Sequence, residues 1–263
     1  MAPHVEKQYV AESFGKAASN YDEYARIQHR IAHDLILRCP AVYKEHVLDL
    51  GCGTGYCLPL LAENYPKASI TGADLSQGML DYAQAHFPDY SYEIADAEKL
   101  PFSDEQFDLI YSNFAVQWCD DFSKVLSEAY RCLKPGGHLV LSTLADGTLK
   151  ELKQAWAQAD QFQHVNDFEK SDFLSKCVEQ SQFTVDVNVV NTEFHYYATV
   201  RELTDSLKRI GAHNITQGRA KSLTSPGTIK KFTKALQGFR TEQGLPASYE
   251  VFTIVLCKPQ TNE

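Results

Sequence analysis

The sequence lacks the features that mark membrane, secreted or metal-binding chains. Among its 263 residues, no run approaches the ~18 consecutive apolar residues of a transmembrane helix, and the first residues lack the basic-then-apolar order of a secretory signal. The seven cysteines are odd in number and contain no C-x-x-C pair, so neither a disulfide framework nor a zinc knuckle is predicted. We expect reduced thiols, no metal site and a cytoplasmic location.

Basic residues are also scarce: 25 lysines and arginines face 34 aspartates and glutamates, for a net charge of −9. That balance disfavours binding to nucleic acid or to an anionic membrane. Residues 201–240 are the exception, with nine basic residues against two acidic ones, a charge of +7 that leaves −16 for the rest of the chain. This basic segment is either a solvated helical face or a docking surface for an acidic partner.

Apolar residues alternate between strand-like and helix-like spacing over residues 46–145, which predicts an α/β fold with a parallel sheet. Two later runs, FTVDVNVVNTEFHYYAT and YEVFTIVLCKP, predict long antiparallel strands at a sheet edge. We expect residues 1–40 to form a helical lid, residues 41–263 the main domain, and residues 200–245 a basic helical insertion before the last strand. No repeat is present, and we expect a monomer.

A glycine-rich stretch, DLGCGTG, follows the first predicted strand. Asp49 precedes Gly51, Gly53 and Gly55 in a G-x-G-x-G spacing, which differs from the G-x-G-x-x-G of dinucleotide folds and lacks the lysine of a Walker A loop. Glycines at a strand-to-helix turn let a ligand approach the backbone. The spacing therefore favours a ligand without a pyrophosphate.

Acidic residues end the next two predicted strands. Asp74 closes the second strand, where a carboxylate can accept hydrogen bonds from both ribose hydroxyls, and Asp96 closes the third, followed by Ala97. Because the carboxyl ends of parallel strands share one edge of the sheet, we expect one crevice there. In the alternative interpretation the glycines make only a turn and the acids cap helices.

With LKPGG before the fifth predicted strand, these residues resemble the class I S-adenosylmethionine-dependent methyltransferases. The resemblance implies a Rossmann-like, mostly parallel seven-stranded sheet with an antiparallel last strand, and S-adenosylmethionine as methyl donor. Asp49 would orient the glycine loop or meet the amine of the donor's methionine moiety. The other implied contacts are Gly51, Gly53 and Gly55 at the methionine moiety, Asp74 and Leu75 at the ribose, Asp96 and Ala97 at the adenine, and Asn113 beside the sulfonium.

A second resemblance spans nearly the whole chain. It rests on residues 14–22 (FGKAASNYD) with Ala25 and Gln28, on residues 113–119 (NFAVQWC) and on residues 207–214 (LKRIGAHN). These segments resemble the malonyl-acyl carrier protein O-methyltransferases of the biotin pathway. The resemblance implies methylation of the free carboxylate of a malonyl thioester, with acyl carrier protein as partner.

That reaction needs no general base, because a malonyl carboxylate is already ionised at neutral pH. A desolvated carboxylate must instead be held by a cation or by several donors. The candidates are Arg209 as a bidentate clamp, Tyr21 as a hydroxyl donor, and His29 and Gln117 as weaker donors. The alternatives are a docking role for Arg209 on a helix surface and simple core packing for Tyr21.

Two aromatic residues and four lysines complete the predicted site. Phe114 and Trp118 are expected to wall the substrate pocket, although aromatic residues after a strand often belong to the core. The resemblance implies a strongly acidic carrier protein, for which the basic segment offers a docking surface. Its candidate residues are Lys208, Lys230, Lys231 and Lys234.

The sequence is also compatible with other functions. A trans-aconitate-type O-methyltransferase would also take a carboxylate, but it would not need the +7 segment. A C-methyltransferase of quinone synthesis would call for a positioned base, and none is evident. A binding protein that has lost catalysis is disfavoured by the intact glycine loop and acids. A nucleic-acid methyltransferase is disfavoured by the net negative charge and by the absence of an N-P-P-Y-like tetrapeptide after the fourth predicted strand.

Overall fold

Seven strands form one sheet in the computed structural model, which describes residues 7–42, 44–211 and 225–260. The strand order is β3-β2-β1-β4-β5-β7-β6, and only β7 runs antiparallel to its neighbours. The predicted mostly parallel sheet with an antiparallel last strand is confirmed. The strands are β1 His46–Leu50, β2 Ser69–Asp74, β3 Ser91–Ile94, β4 Phe107–Asn113, β5 Leu133–Ala145, β6 Thr184–Tyr197 and β7 Leu245–Cys257.

Helices cover both faces of the sheet and connect the parallel strands. Their bounds are α1 Lys7–Tyr24, α2 Arg26–Ile36, α3 Cys57–Asn64, α4 Gln77–His86, α5 Phe122–Cys132, α6 Lys150–Ala157, α7 Ser171–Glu179, α8 Val200–Arg209 and α9 Pro226–Gln237, with a short 3₁₀ turn at Val116–Trp118. No helix in these described stretches is both long enough and apolar enough to span a bilayer.

The middle of the sheet is the core of the molecule. Leu48 of β1 and Ile110 of β4 are fully buried and pack toward α5, while Val47 and Leu109 pack toward α2 and α3 on the other face. A parallel strand that is covered on both faces has mostly apolar residues in succession. This explains why the segments HVLDL and FDLIY are predicted as strands.

Local signals explain where α5 begins and ends. The Asp121 carboxylate caps the helix by accepting hydrogen bonds from the backbone N–H groups of Ser123 and Lys124, at 3.0 and 3.3 Å. The helix ends at Cys132, just before the proline and glycines of KPGG. Both ends of α5 thus have a local cause in the sequence.

Two boundaries, those at Asp96 and at LKPGG, differ from the predicted ones. β3 ends at Ile94, so Asp96 lies two residues beyond the strand, where it forms an isolated bridge with Lys99. Asn113 belongs to β4 as its last residue. LKPGG lies within β5 and not before it, because a register shift against β4 accommodates the extra residues, with Gly136 at φ +77°.

The first helix, α1, lies over the carboxyl edge of the sheet, whereas α2 packs mainly on one face of the sheet beside α3. α1 packs closely on α4, since a Cβ at Gly78 would stand only 2.8 Å from the Gly15 Cα. The Ser76 hydroxyl, just before α4, donates to the Ala11 carbonyl at 2.7 Å. These contacts hold α1 directly above the predicted crevice.

Helices α8 and α9 form the insertion between β6 and β7, as predicted. They pack together and on the sheet through Leu203, Phe232 and Leu236. Some predicted residues lie outside the described residues, namely Ala212, His213 and Asn214 of the LKRIGAHN segment and the basic residues Arg219 and Lys221.

Candidate active site

A cavity lies at the carboxyl ends of the parallel strands, beneath α1. It contains about 770 Å³ of empty space, including solvent at its mouth. Most residues assigned to the site from the sequence lie in its wall, namely Tyr21, Gly51, Gly53, Asp74, Leu75, Asp96, Ala97, Asn113, Phe114 and Trp118. No site role was predicted for the rest, although three of them, Phe14, Ala115 and Cys119, lie in segments that carry the family resemblance. The rest are Lys7, Val10, Ala11, Phe14, Leu50, Ser76, Met79, Ala95, Ala115 and Cys119.

The glycine loop has the backbone that only glycine adopts without strain. Gly51, Gly53 and Gly55 have φ values of +75°, +55° and +83°. A Cβ at Gly51 would stand 2.1 Å from the Ala115 Cβ, whereas a Cβ at Gly53 would meet nothing within 4 Å. Gly53 therefore faces open space beside the cavity, while Gly55 packs against Phe87 and Ala83 and is absent from the wall.

Asp74 ties the second strand to the glycine loop. Its two oxygens accept hydrogen bonds from the backbone N–H groups of Gly53, at 2.9 Å, and Ser76, at 2.8 Å. Burial raises the pKa of Asp74, and these backbone hydrogen bonds partly oppose that rise. Each oxygen keeps acceptor capacity toward the cavity, as a ribose ligand would require.

Asp49 is buried directly behind the loop, next to Leu50 and Gly51 of the wall. It is 2% exposed, and its Oδ2 atom has no hydrogen-bond partner among the described residues. Burial raises the pKa of Asp49 to about 8, and the nearby Asp74 carboxylate adds to the rise. A buried acceptor without a donor fits a ligand that brings an ammonium group.

Asp96 is held by a lysine of the lid. The Lys7 ammonium donates to both Asp96 oxygens at 2.7 Å and also contacts the Glu98 carboxylate. Lys7 lies 89 residues from Asp96 in the sequence, so no local pattern predicts that they pair. The pair fastens the start of α1 to the segment that follows β3.

Aromatic side chains form the side of the cavity under α1. The Phe14 ring lies 5.4 Å from the Trp118 ring and 6.3 Å from the Tyr21 ring, measured between centroids. Burial raises the pKa of Tyr21, and the Asp22 and Asp74 carboxylates reinforce the effect. The phenol therefore stays protonated at neutral pH and keeps a hydrogen to donate.

The three other predicted catalytic side chains lie outside this wall. Arg209 is exposed at the end of α8, with its guanidinium carbon 4.9 Å from the Tyr24 ring centroid. The Gln117 amide donates to the Phe114 carbonyl at 2.6 Å, and its oxygen accepts from the Thr143 hydroxyl at 3.2 Å. Gln117 thus supports the wall from behind.

His29, on α2, contacts α1 and the segment after the glycine loop. Its ring stacks on Tyr56 at a centroid distance of 3.6 Å, and its Nε2 atom lies 3.2 Å from an Asp22 oxygen. His33, one turn later on α2, hydrogen-bonds the Tyr56 hydroxyl at 3.0 Å. In the described part of the chain, no group of three His, Cys, Asp or Glu side chains is arranged to hold a metal ion.

The four predicted docking lysines are exposed on the insertion. Lys208 lies on α8, and Lys230, Lys231 and Lys234 lie on α9. None of them forms an ion pair with a described residue, whereas Arg201 of the same segment pairs with Asp205 at 3.4 Å.

The sheet order, the glycine loop and the strand-end acids define a class I methyltransferase, the class whose methyl donor is S-adenosylmethionine. The residues fit this donor, because the unpartnered Oδ2 of Asp49 can accept from its ammonium group and Gly53 leaves space beside the backbone. Residues 48–141 match the family model described as a methyltransferase domain. The YcgJ protein of Bacillus subtilis has the same fold, with a TM-score of 0.61 and 19% identity over 88% of this chain and 99% of that one.

Curated relatives define the family more narrowly. The malonyl-[acyl-carrier protein] O-methyltransferase of Hahella chejuensis is 35% identical over 94% of this chain and 89% of its own length. The chain belongs to the malonyl-[acyl-carrier protein] O-methyltransferase family. The biotin biosynthesis bifunctional protein BioHC of Cellvibrio japonicus is 41% identical over 98% of this chain and 52% of its own length. The chain thus spans about half the length of the bifunctional relatives that it matches.

Proposed function

We propose that this protein transfers the methyl group of S-adenosylmethionine to the free carboxylate of malonyl-acyl carrier protein, an early step of biotin synthesis. The observation that carries the acceptor class is that both acids of the described cavity wall, Asp74 and Asp96, are held by other groups, while the unpartnered acid, Asp49, lies behind the glycine loop and not in the wall. Asp74 accepts from two backbone N–H groups and Asp96 is paired with Lys7. An acceptor that is already ionised suits such a wall, whereas a carbon acceptor calls for a base.

The chemistry requires positioning more than proton transfer. S-adenosylmethionine supplies an electrophilic methyl group, which the carboxylate oxygen attacks as the sulfur–carbon bond breaks and the sulfur keeps the electron pair. Phe14, Phe114 and Trp118 keep water away from the reacting atoms. Tyr21 donates its O–H to the carboxylate oxygen that does not react.

In the donor site, we assign Asp49 to the ammonium group, Asp74 and Leu75 to the ribose, and Asp96 and Ala97 to the adenine. Gly51, Gly53 and Asn113 would lie along the methionine and sulfonium, with Gly55 shaping the loop from behind. The geometry of the unpartnered Asp49 oxygen and of the Asp74 hydrogen bonds supports these roles.

Arg209 remains our candidate for a cationic clamp on the acceptor carboxylate. The end of α8 contacts the lid, since the Ser13 hydroxyl donates to the Gly211 carbonyl at 3.1 Å. Arg209 would reach the carboxylate only by leaving Tyr24. We retain His29 and Gln117 as weaker candidates, which support the site from outside its wall.

The function test is methyl transfer from labelled S-adenosylmethionine to malonyl-acyl carrier protein, malonyl-coenzyme A and trans-aconitate. We expect efficient methylation of the carrier-bound substrate, and a large loss in Tyr21→Phe and Arg209→Ala if both hold the carboxylate. Activity on trans-aconitate alone would refute the acceptor, the partner and the pathway while keeping the donor. Full activity of Arg209→Ala would refute the clamp only.

We also propose that α8 and α9 dock the acidic carrier through Lys208, Lys230, Lys231 and Lys234. Reversing two charges with Lys230→Glu and Lys231→Glu should raise the KM for malonyl-acyl carrier protein and leave that for a short malonyl thioester unchanged. Lys67→Glu is the control for a charge reversal elsewhere, because Lys67 is exposed just before β2, which lies in the other half of the sheet from β6 and β7. Equal effects on both substrates would contradict docking.

We further propose a cytoplasmic monomer that binds neither nucleic acid nor membranes. All seven cysteines are free thiols in the structure, which supports a reducing compartment. Light scattering should return a mass close to 29.6 kDa, and a value near twice that mass would contradict the monomer.

A further inference from the structure

Asp22 is an acidic residue of the lid that the proposed mechanism does not use. It lies in the last turn of α1, two residues before Tyr24 ends the helix, and α2 begins at Arg26. One of its oxygens, Oδ1, accepts a hydrogen bond from the Thr54 hydroxyl at 2.9 Å. The same oxygen lies 3.2 Å from the Nε2 atom of His29 on α2. Asp22 thus joins both lid helices to the glycine loop.

The loop partner of Asp22 is well placed to transmit this contact. Thr54 is 2% exposed and lies between Gly53 and Gly55, so its side chain fixes the orientation of the loop. Gly53, its neighbour, donates its backbone N–H to Asp74 at 2.9 Å. Two hydrogen bonds on adjacent loop residues therefore link the lid, through the Gly53–Thr54 backbone, to the carboxylate at the end of β2.

A second contact fixes the lid on the far side of the loop. The His29 ring that faces Asp22 also stacks on Tyr56, two residues after Thr54, with an interplanar angle of 8°. Residues 54–56 are thereby held from two directions by one junction between two helices. Packing alone would not require a carboxylate at this junction, since a buried hydroxyl could bond to a backbone carbonyl.

We propose that Asp22 is a positioning residue for the methyl donor, which fixes the glycine loop in its binding conformation through Thr54. Removing the carboxylate leaves a buried hydroxyl unsatisfied and frees the loop, so donor binding weakens although no contact with the donor is lost. The effect concerns the donor only. It is therefore separable from the identity of the acceptor.

The experiment measures the dissociation constants of S-adenosylhomocysteine and S-adenosylmethionine by calorimetry for four proteins, namely the wild type, Asp22→Ala, Thr54→Val and the double variant. Loss of a hydrogen bond to a charged group predicts about a tenfold weaker affinity in each single variant. The double variant should bind no more weakly than Asp22→Ala, because Asp22→Ala has already removed the contact with Thr54.

Three comparisons distinguish positioning of the loop from a direct effect of the Asp22 charge. Asp22→Asn keeps an oxygen for the Thr54 hydroxyl and should recover most of the affinity. The loss of affinity in Asp22→Ala should be equal for both ligands. If Asp22 acted by attracting the sulfonium at long range, its removal would weaken the binding of S-adenosylmethionine more than that of S-adenosylhomocysteine, whose sulfur is uncharged. Glu23→Gln, which neutralises the neighbouring exposed acid, should leave both affinities unchanged.

Several results would overturn the proposal. Multiplicative losses in the double variant would show that Asp22 and Thr54 act independently. A larger loss for S-adenosylmethionine, or no rescue by Asp22→Asn, would show that charge matters rather than position. Unchanged affinity in Asp22→Ala would remove Asp22 from donor binding altogether. Because none of these assays contains an acceptor, failure of the proposed malonyl substrate would leave them unaffected.

Discussion

The raised pKa of Asp49 predicts that donor binding releases a proton. With a pKa of about 8, the Asp49 carboxyl is protonated in about nine molecules of ten at pH 7. A ligand ammonium beside its unpartnered oxygen favours the ionised form and lowers the pKa on binding. Each binding event near pH 7 should therefore release about 0.9 proton.

The sign of the pH dependence follows from the same linkage. Below pH 8 the carboxyl must lose its proton before it can pair with the ligand, so affinity rises as the pH rises. The dissociation constant of S-adenosylhomocysteine should fall about tenfold between pH 6 and pH 7, and should level off above pH 8.

Calorimetry in two buffers with different ionisation enthalpies, such as phosphate and Tris, counts the protons directly. Asp49→Asn should release almost none and show a flat profile, with weaker binding at pH 8.5. Asp81→Asn, on the exposed face of α4, is the control and should behave as the wild type. A wild type that releases no proton, or an Asp49→Asn variant with the same slope, would refute the reasoning.

The loop, the α5 cap and the lid each carry one further prediction. Gly51→Ala should abolish measurable S-adenosylhomocysteine binding, because its Cβ would stand 2.1 Å from that of Ala115; near-normal calorimetric affinity would contradict the loop geometry. Asp121→Ala should lower the free energy of unfolding by about 1 kcal/mol in urea, through loss of the α5 cap, and an unchanged midpoint would show that the cap contributes nothing. S-adenosylhomocysteine should slow amide hydrogen exchange over residues 9–30, and identical exchange with and without it would rule out a lid that responds to the ligand.

The sequence was most informative where one short segment sets its own conformation. The G-x-G-x-G loop needs positive φ angles that only glycine supplies easily, and Asp74 follows a buried strand directly. Parallel strands bring their carboxyl ends to one edge, so the cavity wall followed from topology. Resemblance then supplied the class and family that the comparisons confirmed.

The sequence was less informative about strand ends. Asp96 lies beyond β3, which ends at Ile94. LKPGG lies within β5, because a register shift against β4 absorbs its extra residues. A bulge of this kind depends on pairing with β4, which no local pattern records.

Tertiary structure alone decided which distant side chains meet in the site. Lys7 pairs with Asp96 across 89 residues, and Asp22 accepts from Thr54 across 32. Both contacts depend on how α1 docks on α4, where Gly15 and Gly78 allow the helices to approach closely. The same packing leaves Arg209 on Tyr24 and outside the wall. Composition and spacing determined the class of chemistry. The burial that leaves Asp49 without a partner arises only when the helices and the loop close around it, because desolvation is a property of the assembled fold.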